Sequence, residues 1–195
     1  MKLALNDSGQ IDYDQLEEKD TLADLLEAID VFIEDNPLPC RQCQNGCCRK
    51  PWAVEVDNVS VRWLSNLAGI SKDEFVDEML EIKENKYLDF DQYVMKKQTS
   101  LCPFVSDFNR CQVYESRPLI CRLYTCAPKS PRYNQLREAA AATYLQALVF
   151  EQIIRNHNLG PAQLSNLTEN PALFSQNYQL SLQKILDYAA DEGWI

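Results

Sequence analysis

The stretch CRQCQNGCC, residues 40–48, puts Cys40, Cys43, Cys47 and Cys48 within one short loop-like segment. A second group follows at Cys102, Cys111, Cys121 and Cys126, which accounts for all eight cysteines. A Cys-x2-Cys pair lets two sulfurs converge on one metal while the intervening backbone N–H groups bond to them, and it recurs in zinc and iron–sulfur sites. Neighbouring side chains in extended backbone point apart, so Cys47 and Cys48 are expected to face different surroundings. Eight sulfurs are thus enough for two four-sulfur sites, or for one site with thiols left over. The simpler alternative for any one of them is a buried, inert thiol.

The rest of the sequence bears on which chemistry this is. His157 is the only histidine, and it falls at the expected end of a helix, where a cation is favourable. A mixed His–Cys site or a Cys–His catalytic pair therefore has no support. The order of intervals is not that of the two-cluster ferredoxins, C-x2-C-x2-C-x3-C-P, and the radical-type order C-x3-C-x2-C is reversed. No HExxH, P-loop or GxGxxG motif occurs. No catalytic residue is named by the sequence.

Charge is unevenly distributed. The chain carries a formal net charge of −10 over 195 residues, which argues against a broad nucleic-acid footprint. Its first 36 residues are strongly acidic, whereas Cys40 to Lys50 holds Arg41, Arg49 and Lys50 with no acid. From Cys102 to Arg132 the bases Arg110, Arg117, Arg122, Lys129 and Arg132 face only Asp107 and Glu115. Cations near thiols lower their pKa and stabilise an anionic site; ordinary surface charge is the competing explanation. Tyr114 and Tyr124 are placed to shield such a site, and Arg117 and Arg122 to bond its ligands or a nearby carboxylate; both tyrosines would serve equally as core aromatics.

No apolar run approaches the roughly 20 residues of a membrane span, and the N-terminus lacks the pattern of a signal peptide. A cytoplasmic location is expected, where clustered cysteines serve as ligands or redox groups before structural disulfides; the even count of eight leaves four secreted-type disulfides as the alternative. A protein partner is expected, with neither nucleic acid nor membrane; helix 20–35 offers an acidic face to a basic surface, although a solvated face would look the same.

Periodicity predicts a mostly helical α+β fold: a small cysteine-rich, metal-centred lobe with an N-terminal helix and a C-terminal helical pair. The expected divisions are an acidic N-terminal arm and helix (1–37), a cysteine-cluster domain (38–130) and C-terminal helices (131–195). After a polar lead-in over 1–19, Asp20 is expected to cap a helix to about Asp35, stopped by Asn36-Pro37. Ala53 to Val56 reads as a strand and 58–67 as a helix. Ser71-x-x-Glu74 is a capping box opening a helix with Phe75, Met79 and Ile82 inward. Tyr93 to Lys97 reads as a strand, Cys102 to Tyr114 as a hairpin, and Pro118 as the start of a helix carrying Cys121. Ser130-Pro131 begins the longest helix, to about Asn156, with Gly160 ending it; a last helix covers about 175–190.

Taken jointly, Cys40-x2-Cys43-x3-Cys47-Cys48, Cys102-Pro103-Phe104, Cys111-x2-Tyr114-x2-Arg117-Pro118-x2-Cys121-Arg122 and Cys126 resemble the YkgJ-type cysteine-cluster family, a zinc- or iron-chelating domain, over roughly residues 38–130. The stretch Val59 to Ile82 is similar to that family too. The cysteine domain of flagellin lysine methylases is distantly similar, and those enzymes are described as iron–sulfur proteins using S-adenosylmethionine. The resemblance implies metal held by Cys40, Cys43, Cys47, Cys48, Cys102, Cys111, Cys121 and Cys126, with a [4Fe-4S] cluster favoured and zinc the alternative. The implied roles are electron transfer or cluster-assisted modification, a structural zinc scaffold, or a methyltransferase-like activity.

Overall fold

The computed structural model describes residues 1–36, 53–85, 90–96, 102–106, 111–157 and 159–195. Within them the chain is a mostly helical α+β fold. Strands β1 (Leu3–Leu5) and β2 (Ile11–Tyr13) form a hairpin, followed by helices α1 (Leu22–Asp35), α2 (Asn58–Ala68) and α3 (Lys72–Met79). Strands β3 (Leu80–Lys83) and β4 (Gln92–Met95) form a second antiparallel pair, registered Leu80 to Met95 and Lys83 to Gln92. A 3-10 turn (Tyr114–Ser116), α4 (Leu119–Leu123), α5 (Pro131–Asn156), α6 (Pro161–Leu167) and α7 (Leu182–Asp191) complete the order.

Helix α5 is the axis. Its buried residues run unbroken from Ala139 to Leu148 and include the polar Thr143 and Gln146, so its middle is enclosed on most sides. The alanines keep side chains short and let neighbours approach. On one flank α5 packs with α1, α4, α7 and the first hairpin, around Leu25, Ile29, Leu119, Leu123, Tyr144 and Ile185. On the other, Leu148 joins a smaller core made by Val56, Val61, Leu64, Phe75, Val76, Leu80, Met95 and Val113. Trp63, Tyr178 and Tyr144 stack edge to face in series, both centroid separations being 5.2 Å, an arrangement worth about 0.5–1.5 kcal/mol per pair beyond burial.

Several expected elements are shifted for identifiable reasons. The cap of α1 is Thr21, whose hydroxyl accepts from Asp24 N while Asp24 returns a bond to Thr21 N. Asp20 instead turns back to accept from Glu17 N at 2.8 Å. The lead-in contains the β1–β2 hairpin, whose turn is closed by Asn6 Oδ1 accepting from Ser8 N and Gln10 N, with Gly9 at φ 70. Residues Val54 to Val56 do not form a full strand; they dock on β4 through Val56 N to Tyr93 O (3.0 Å) and Met95 N to Val54 O (2.9 Å). Helix α3 ends at Met79, and Ile82, expected inward, lies in β3 and is exposed. Helix α5 ends at Asn156 with His157 as its C-cap, whereas Gly160 caps the following α6. The last helix begins at Leu182 rather than near 175, its cap Ser181 paired with Thr21. The Ser71–Glu74 box and the Ser130-Pro131 start are as expected.

Candidate metal centre

The expected ligands Cys40, Cys43, Cys47 and Cys48 lie outside the described residues. The second group is carried by three short structures. Cys102 opens a turn in which its carbonyl accepts from Val105 N at 3.1 Å. Val105 bridges to Cys111, and Gln112 N donates to Phe104 O at 2.8 Å. This is an isolated bridge rather than the hairpin expected over 102–114, since Tyr114 lies in the 3-10 turn and 107–110 lie outside the described residues, but it brings the chain at Cys111 back alongside the turn that begins at Cys102. Cys111 is half-buried and packs with Phe104 against the smaller core.

Cys121 sits in the middle of α4, with its N–H donating to Pro118 O at 2.9 Å. Cys126 follows on an exposed bend. The bend is fixed from both sides. Lys129 Nζ donates to Thr125 O (2.7 Å) and Ala127 O (3.3 Å). Beyond it, Ile11 N donates to Pro128 O (2.8 Å) and Ser130 N to Ile11 O (2.9 Å), which clips the segment to β2.

The cations anticipated near the cysteines are engaged locally. The Arg117 guanidinium lies 3.8 Å from the centre of the Tyr114 ring, and its Nε donates to Tyr114 O at 2.8 Å. Arg117 and Arg122, on either side of Cys121, both reach Asp30 of α1, at 3.8 and 3.3 Å. Asp30 is the nearby carboxylate anticipated for this pair. It is half-exposed, so each ion pair contributes no more than about 1 kcal/mol, but together they orient α4 against α1. Lys129 lies 5.5 Å over Tyr124. Burial lowers its pKa, Arg137 lowers it further, and Cys126 opposes both. Tyr114 is half-buried and Tyr124 exposed at its edge.

Two groups were missed by the sequence reading. Asp57, 1% exposed, accepts from Val59 N (3.0 Å), Ser60 N (2.9 Å), Ser60 Oγ, Leu119 N (3.1 Å) and Tyr178 Oη (3.0 Å). An Asp just before a predicted helix is a cap signal, but nothing local marks the other two partners. Glu151 of α5 is the second: buried, it accepts from Asn58 Nδ2 and Phe174 N and pairs with Lys72. It ties α2, α3 and the 170–175 turn to α5 and lies apart from the cysteine segments in sequence.

Among the described residues, no three His, Cys, Asp or Glu side chains converge closely enough to hold a metal ion. The donor chemistry itself fits zinc or iron: the chain offers eight thiols, and soft thiolates select zinc and iron–sulfur clusters. His157, the one imidazole, lies at the far end of α5 and is exposed. Among the described residues, no helix is long and apolar enough to cross a membrane. No curated protein and no solved structure shows significant similarity to the chain. Residues 39–142, more than half of the chain, match the family described as CxxCxxCC: Putative zinc- or iron-chelating domain, and the chain belongs to that family.

Proposed function

We propose that the protein holds a [4Fe-4S] cluster ligated by cysteines of both groups, and that it serves in electron transfer or cluster-assisted modification. The observation that carries this reading is the setting of the second group. Arg117 and Arg122 bracket Cys121 in sequence and pair with Asp30, Arg117 stacking on Tyr114, while Lys129, over Tyr124, interacts electrostatically with Cys126. An all-thiolate cluster is anionic, and cations, hydrogen bonds and partial exclusion of water are the protein's means of stabilising it and setting its potential. A structural zinc site gains its stability from four thiolates closing on the ion and makes smaller demands on the surroundings.

The second group alone does not supply three convergent donors. The proposed cluster therefore draws its remaining sulfurs from Cys40, Cys43 and Cys47 or Cys48. A family match that spans both groups is consistent with their acting as one unit. The test is a series of single Cys→Ser variants, prepared without oxygen and scored for bound metal. Loss of metal at members of both groups is the expected result. Loss confined to one group sinks the shared site.

A further inference from the structure

Helix α4, which carries Cys121, cannot cap itself. Its N-cap is Pro118, which makes no side-chain capping bond. The first amide of such a helix has no partner inside the helix and must find one elsewhere. It finds one far away in sequence: Leu119 N donates to Asp57 Oδ2 and to Ser60 Oγ, both at 3.1 Å. Asp57 is already the N-cap of α2, accepting from Val59 N and Ser60 N. One carboxylate thus caps two helices. Tyr178, buried and packed between Trp63 and Tyr144, completes the arrangement by donating to Asp57 Oδ1 at 3.0 Å.

We propose that Asp57, held by Tyr178, is a positioning residue for the Cys121 thiolate: it fixes the start of α4 and thereby the direction in which Cys121 presents its sulfur to the metal. The inference rests on the reading of Cys121 as a ligand. It explains why the Arg-Pro-x-x-Cys segment tolerates a proline at the cap: the acceptor normally supplied by a Ser or Asp side chain comes from α2 instead. It also couples the cysteine segment to the C-terminal part of the chain, because Tyr178 belongs to the stretch between α6 and α7. Asp57 itself stands nine residues after Cys48 in sequence, so the same carboxylate lies on the chain that leaves the first cysteine group.

The experiment measures the rate at which metal leaves the full-length protein, purified without oxygen, into excess chromophoric chelator, at a temperature where circular dichroism shows each variant folded. Tyr178→Phe removes one bond to Asp57 and preserves ring packing; Asp57→Asn alters the cap itself; Ile185→Val is a control in the α7 core, matched by melting temperature. Tyr178→Phe and Asp57→Asn are expected to release metal about 10-fold faster than wild type, the scale of effects seen when partners of a metal ligand are removed. Ile185→Val is expected to release at the wild-type rate, and Tyr178→Phe to add nothing in a Cys121→Ser background. Should Asp57→Asn fail to fold, Tyr178→Phe and Ser60→Ala carry the test. Equal release from Tyr178→Phe and Ile185→Val, with Cys121→Ser fast, overturns the proposal alone. Wild-type protein without metal, or Cys121→Ser releasing at the wild-type rate, overturns the ligand reading and the proposal with it.

Discussion

Glu55 lies between Val54 and Val56, whose backbone bonds to β4 draw it into the protein. Gln92 Nε2 donates to its Oε1 at 3.1 Å. Burial raises its pKa, outweighing that bond and the attraction of Arg137. A carboxyl whose folded pKa is raised resists ionisation in the folded state, so it lowers stability as pH rises from the unfolded value through the folded one. Glu55→Gln, which retains an acceptor for Gln92, is therefore expected to be more stable than wild type at pH 7. The advantage should vanish in acid, where both side chains are neutral. Urea unfolding at the two pH values checks this, and an advantage independent of pH would point to packing instead. Local sequence gave no sign of this behaviour, because the burial comes with docking on β4, where Glu55 bridges to Val94 and meets Gln92. The same holds for Asp57. Its capping of α2 can be read from Asp-Asn-Val-Ser, but Leu119 and Tyr178 lie 62 and 121 residues away. The cysteine ligands are the opposite case, since their chemistry is carried by residue type and spacing and needs no tertiary information to be suspected.

Helices whose starts are encoded within four residues were legible. Ser71-x-x-Glu74 and Ser130-Pro131 cap α3 and α5 as their chemistry requires. The start of α1 was misplaced by one residue because Asp20 and Thr21 are both good caps, and what decides between them is the reciprocal partner. Asp24 stands three residues after Thr21 and completes the box. Thr21→Ala should destabilise the protein by about 1 kcal/mol, read as a lower urea midpoint with unchanged slope. An unchanged midpoint would mean that the pairing of Thr21 with Ser181 holds the helix start without the hydroxyl. Ile82 misled for a different reason. Its spacing from Phe75 and Met79 suits a helical face, yet α3 stops at Met79 because the next residues pair with β4. Strand pairing over that distance leaves no mark in a helical periodicity.

At the scale of the whole molecule, the described helices are held together by apolar cores, and the segment of Cys121 belongs to the larger one through Leu119 and Leu123 of α4. Among the described residues, the larger core of α1, α4, α5, α7 and the first hairpin contains no cysteine side chain, and Cys111 only flanks the smaller one. Removing the metal with a chelator is therefore expected to lower the melting temperature while leaving most of the far-ultraviolet helical signal. Collapse of that signal would mean that the metal organises the framework itself, as in small zinc domains that unfold without it. The mostly helical class was readable because the amphipathic run of α1 and the cap signals of α3 and α5 are written in local sequence. The arrangement around α5 was not, because it depends on which faces of an alanine-rich helix are covered, and by what.

The most direct test of the central claim is the iron, zinc and acid-labile sulfide content of wild-type protein purified without oxygen, taken together with its visible spectrum. The account predicts a brown protein with iron and sulfide in matching amounts and broad visible absorption that bleaches on oxidation. Colourless, fully folded protein holding zinc alone would contradict it and leave the cysteines as a structural clasp.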